Sequence, residues 1–114
     1  MNQQAEWNDV GLRIAQGLMT SIEMVRQLDV QEASLVIRVL GKNCIRKVNE
    51  GVGHQLGIAL IETSDELAMQ EMLILKDVLK RISGIIQNLD LVANTEEDHS
   101  IVTQLEEVVT NCQA

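Results

Sequence analysis

Any chemistry in this chain of 114 residues would have to be built from two histidines, two cysteines and a scatter of carboxylates. His99 closes the run Glu96-Glu-Asp-His99, and a carboxylate cluster with one histidine can hold a hard or borderline metal ion. A metal centre in a helical bundle needs a second set on a facing helix, typically another Glu-x-x-His pair, and beyond Glu96-x-x-His99 itself the sequence contains none. An acidic helix start favoured by the macrodipole accounts for the run without a ligand. Cys44 and Cys112 lack zinc or CxxC spacing and fall on apolar positions at helical intervals, which predicts buried, inert thiols. Glu96/Glu97 and Glu106/Glu107 are sequence neighbours that diverge around a helix, so neither forms an acid/base pair. There is no Ser–His–Asp arrangement, phosphate loop or zinc motif. The expectation is a protein that is not an enzyme, with no cofactor and no metal.

His54 lies in Val52-Gly-His-Gln-Leu-Gly-Ile-Ala59. Over a handful of residues this run resembles the phosphoacceptor segment of histidine phosphotransfer domains, which are also acidic four-helix bundles of similar size. The pattern of that family is His, any residue, Leu, Lys, Gly. Gln55 and Leu56 fit it, whereas Gly57 stands at the Lys position and Ile58 at the Gly position. The resemblance implies a phosphoryl-carrying His54 on an exposed helix face. The absent lysine would remove a cation that steadies the phosphoryl charge, and Ile58 would crowd a docking receiver domain. The plainer expectation is a histidine at a helix start, capping it or solvated.

The composition says which elements must position these groups. The apolar fraction is 46%, with one Trp and no Phe, Tyr or Pro. A core of Leu, Ile, Val, Met and Ala without helix breakers points to helices, because sandwiches and barrels lean on aromatics and Gly/Pro turns. Residues 63–89 predict the organising helix. Thr63-Ser-Asp-Glu66 is a capping box, and Ala68, Met72, Leu75, Leu79, Ile82, Ile86 and Leu89 follow at spacings of four and three. Between positions 67 and 75 that helix is apolar almost all round, through Leu67, Met69, Leu73 and Ile74.

Residues 3–28 predict a first helix with Trp7, Gly11, Ile14, Leu18, Ser21, Val25 and Leu28 on its seam, where Gly11 and Gly17 suggest close approach of a neighbour. Asp29-Val-Gln-Glu32 is a second capping box, opening a helix to Asn49 that presents Ala33, Val36, Ile37, Leu40, Cys44 and Val48. Gly41 is a possible interruption of that helix. Glu50-Gly-Val-Gly53 reads as a loop, and 54–61 as a short helix. Asn94-Thr-Glu-Glu97 caps the last helix, with Ile101 or Val102, Leu105, Val108, Val109 and Cys112 inward. The predicted fold is one domain over 1–114, an all-α antiparallel four-helix bundle with an additional short helix near 54–61.

The net charge of −8 argues against nucleic acid as partner. The first 28 residues have no basic region leading into an apolar run, and no window approaches 18 uncharged apolar residues, so neither signal peptide nor membrane span is expected. Residues 90–114 carry six acidic side chains and no Lys or Arg. Arg38, Lys42 and Arg46, four apart, share one helix face. Two roles are open for this basic stripe: pairing with the acidic last helix, or contact with an acidic partner. The surplus apolar surface at 67–75 needs covering, most simply by a second copy in a homodimer. The functional expectation is a small acidic cytoplasmic regulator, adaptor or inhibitor acting by protein binding. Secretion chaperones, toxin-immunity proteins and anti-regulators share its size and charge. Met69, Leu73, Ile74, Arg38, Lys42, Arg46, Glu96 and Glu97 are the candidate contact residues.

Overall fold

In the computed structural model, residues 3–25, 27–70 and 75–113 are described, with side chains for 10–25, 27–70 and 75–112. Among them the chain forms five helices and no strand: α1 (Gln3–Val25), α2 (Val30–Lys47), α3 (Gly51–Leu67), α4 (Leu75–Val92) and α5 (Glu96–Gln113). The all-α bundle is as expected, but the shortest of its described helices has 17 residues. The segment 54–61 is therefore not a separate short helix. It is the front of α3, which runs on through Thr63 to Leu67. The capping box at Thr63 loses to packing, because Val52, Leu56, Leu60, Ser64 and Leu67 form one buried stripe that a break would expose. Glu66 does not reach back to Thr63 as a cap; its Oε2 accepts a 2.8 Å bond from Arg81 of α4.

The helix expected over 63–89 is thus two elements. Its later part survives as α4, burying Val78, Leu79, Ile82, Ile86 and Leu89. Its earlier part closes α3 in a turn, where Ala68 N–H donates to the Ser64 carbonyl and Gln70 N–H to that of Leu67. Ala68, expected on the stripe, is exposed there; Met72 lies outside the described residues.

α2 begins where predicted, with Asp29 Oδ1 accepting the Glu32 N–H at 2.8 Å. It passes Gly41 without interruption, since burial of Ala33, Ile37, Leu40 and Cys44 overrides the strand propensity of 35–40. The following loop is shorter than expected. Gly51 takes φ 85°, which a residue without Cβ adopts freely, and so Val52 and Gly53 already belong to α3. The last cap shifts by one residue: Thr95 Oγ1 accepts the Asp98 N–H at 3.1 Å, and Asp98 Oδ2 accepts the Asn94 N–H at 3.4 Å.

Each helix packs on the next, α5 returns to α1, and α3 meets α5 across the middle. Ile14, Leu18, Ile37, Leu56, Leu60, Ile82, Ile86, Ile101 and Leu105 all join one apolar cluster. The tightest junction is between α2 and α3. A Cβ on Gly41 would stand 2.7 Å from the Gly57 carbonyl oxygen, and one on Gly57 would stand 2.6 Å from that of Gly41. A heptad away on each helix, Ser34 Oγ donates a buried 2.5 Å bond to the Ser64 carbonyl. Of the two glycines expected to admit a neighbour in α1, Gly11 does so: its Cβ would lie 2.7 Å from Ile101 Cγ1. Gly17 makes only an ordinary contact, with Leu40 at 3.5 Å.

Glycine substitutions should therefore divide by sign. Gly41→Ala and Gly57→Ala each push into backbone and should lower unfolding free energy by about 1–3 kcal/mol, despite the helix propensity gained. Gly84→Ala in α4, where a Cβ meets nothing within 4 Å, should raise it by about 0.5–1 kcal/mol. Urea denaturation of the three variants checks this, and equal stabilisation by all three would mean that α2 and α3 stand further apart.

Candidate functional site

His54 sits in the first turn of α3, half-buried, with Nδ1 3.3 Å from the Val48 carbonyl oxygen. Its ring is held against the end of α2. Gly57, at the position that carries lysine in the phosphotransfer pattern, has no room for any side chain because the Gly41 backbone occupies it. His99 is exposed and joins the start of α5 to the end of α4, its Nδ1 3.0 Å from Asp90 Oδ1. Among the described residues no three His, Cys, Asp or Glu side chains are grouped to hold a metal ion.

Neither cysteine is in a disulfide; Cys44 is buried and Cys112 half-buried. Burial pushes the Cys44 thiol up to about 11, with nearby Lys47 pulling weakly the other way. A thiol so raised carries almost no thiolate at neutral pH, so Cys44 packs as a small apolar residue.

The basic stripe splits. Arg38 Nη1 donates to Asp65 Oδ1 of α3 at 2.6 Å, across the same tight junction. The pairing expected with the acidic last helix is not what Arg38 makes: α2 packs on α1 and α3, while α5 packs on α1, α3 and α4. Arg38 and Asp65 are both substantially solvated, so the pair is worth under about 1 kcal/mol. Lys42 and Arg46 stay exposed, the latter donating to Asn43 of its own helix. Glu96 and Glu97 occupy the first turn of α5, where they favour its dipole. Met69 is 87% exposed in the turn after α3, whereas Leu67 is fully buried. Leu73 and Ile74 lie outside the described residues, as does the Trp7 side chain.

An apolar groove on one flank was not singled out from sequence. Between α1 and α2 runs a groove of about 500 Å³, lined by Gly17, Thr20, Ser21 and Met24 of α1 and by Leu35 and Val39 of α2. Leu35 is 60% exposed and Val39 56%. With Lys42 and Arg46 they form an outer stripe at spacings of four, three and four, the interval of a helix-packing seam on the side away from the core. That spacing was the available signal. It was masked because Arg38 alone interrupts the apolar run 35–40.

The sequence matches no protein-family model, no curated protein and no solved structure. No described helix is long and apolar enough to cross a membrane. The class that the fold defines is an all-α helical bundle, with an open apolar groove on one flank.

A disulfide exchange reagent at pH 8 should modify Cys112 first and Cys44 only at the rate of opening of the bundle; equally fast modification of both would show that α2 frays locally. The folded-state value for Cys44 lies above the unfolded value of 9.0, so the unfolded chain loses its proton first. The stability tied to this thiol is intact below pH 9 and declines as pH rises towards 11. Comparing denaturation of wild type with Cys44→Ala across that window isolates the effect.

Proposed function

We propose that the chain is a non-enzymatic protein-interaction module, a small acidic regulator, adaptor or inhibitor that seats a helix of a partner chain in the α1/α2 groove. One observation carries this reading: the open groove bears two large aliphatic side chains, Leu35 and Val39, each more than half exposed on the same helix face. Covering such a side chain completely contributes roughly 1.5–3 kcal/mol. The small residues Gly17, Thr20 and Ser21 let a helix come close, in the helix-in-groove manner common among regulatory proteins. Lys42 and Arg46 at one end of the stripe favour a partner with acidic side chains there and speed its encounter. A reducing compartment such as the cytoplasm suits two thiols that are not in a disulfide.

Leu35→Gln with Val39→Gln removes the apolar contact without changing charge or helix propensity much, and surface changes of this kind leave stability within about 0.5 kcal/mol. Affinity capture from the source cell with wild type should retain a protein that the double variant releases. Once purified, that protein should bind wild type with a negative heat-capacity change and the variant at least about tenfold more weakly. Equal capture and equal affinity would rule out the groove as the docking face.

A further inference from the structure

We infer that the helix seated in this groove is α2 of a second copy, packed antiparallel about a two-fold axis beside Ile37; the inference rests on the docking reading above and names its occupant. Along the exposed face of α2 the charge changes sign. Glu32 stands at its N-terminal end, Leu35 and Val39 in the middle, Lys42 and Arg46 at the C-terminal end. Such a face complements itself only when the two helices run in opposite directions. A parallel pair would set Lys42 against Lys42 and Glu32 against Glu32, which is unfavourable.

One register satisfies the four positions from Glu32 to Lys42 together; Arg46 lies beyond it, level with the turn that precedes α2 of the second copy. With the axis level with Ile37, Leu35 faces Val39 of the second copy, and Val39 faces its Leu35. One layer further out on either side, Glu32 faces Lys42 of the second copy. These are the pairings an antiparallel helix seam demands, and the spacing of 32, 35, 39 and 42 supplies them without a break. The antiparallel copy of α2 runs alongside α1 as well, so its Leu35 comes over the part of the groove lined by Gly17, Thr20 and Ser21, whose side chains are small. Two apolar layers flanked by two charged layers make a small interface, at the low end of specific ones. The dimer should therefore be in equilibrium with monomer at micromolar concentrations.

The test is charge reversal followed by light scattering on the intact chain at tens to hundreds of micromolar and low salt, with circular dichroism confirming the helices. Wild type should approach twice the monomer mass of 12.7 kDa. Glu32→Lys alone and Lys42→Glu alone should each weaken association by about tenfold or more, since each places like charges opposite one another. An equimolar mixture of the E32K and K42E chains should dimerise again, because every facing pair then has opposite signs. The double variant carrying both changes in one chain should also recover. Wild type that stays monomeric overturns the dimer, as does a mixture that fails to recover while wild type dimerises. If wild type is monomeric but Leu35→Gln with Val39→Gln still releases a captured protein, the second copy is excluded and the docking face stands. If it releases nothing either, both readings fall.

Discussion

The contact of the Gly41 and Gly57 backbones is the constraint on which the other junctions depend. With no Cβ on either side, each carbonyl oxygen occupies the volume a side chain would fill on the opposing helix. That approach sets the distance between α2 and α3, and the distance decides what else can meet. Ser34 reaches the Ser64 carbonyl and Arg38 reaches Asp65 because the two helices are this close. His54 is drawn against Val48 for the same reason, at the end of the junction where α2 turns into α3. Separating the helices by the width of a methyl group would strain all three contacts at once, since a packed interior does not deform smoothly.

Close approach also answers a problem of volume. The composition offers one aromatic residue, Trp7, in the whole chain. A core of Leu, Ile and Val has no large plates with which to fill wide gaps between helices. Native packing density must then come from bringing backbones together rather than from bulk. Gly41 and Gly57 do this between α2 and α3, and Gly11 against Ile101 does it between α1 and α5. The buried residues of all five helices can then meet in one cluster with aliphatic side chains alone.

Periodicity in the sequence revealed the elements wherever one face alone was apolar. Leu79, Ile82, Ile86 and Leu89 of α4, Ile101, Leu105 and Val109 of α5, and Ile14, Leu18 and Val25 of α1 are buried as their spacing implied, whereas Leu75, Val108 and Ser21 are half-buried. The Asp29 cap was legible because polar residue and helix start coincide there. Thr63 misled because a local capping signal competed with a tertiary one: the Leu60–Ser64–Leu67 side of α3 was already committed to the core. Such a contest is invisible locally, because the energy that decides it comes from other helices. The α2/α3 junction left a trace in the seven-residue intervals of Ser34 to Gly41 and Gly57 to Ser64. A small residue, however, does not say whether it stands beside a neighbour or beside solvent. Gly84 is as small as Gly57, yet a Cβ on it would meet nothing within 4 Å.

That ambiguity matters most on α2, where nearly every side carries a distinct set of residues. One flank meets α3 through Ser34, Gly41 and the Arg38 pair, the inward side supplies Ala33, Ile37, Leu40 and Cys44 to the core, and Val36 borders α1. An amphipathic helix of a small bundle normally leaves the remaining side polar. Here Leu35 and Val39 occupy its centre, 60% and 56% exposed, so the larger part of their apolar surface contributes nothing to folding of the single chain. Neither residue is needed to hold α2 helical, and a charged side chain at either site would suit solubility better. Two isolated exposed aliphatics would need no explanation. Two that continue a four–three spacing into Lys42 and Arg46, beside a groove lined in part by small residues, have the pattern that the proposed helix docking requires.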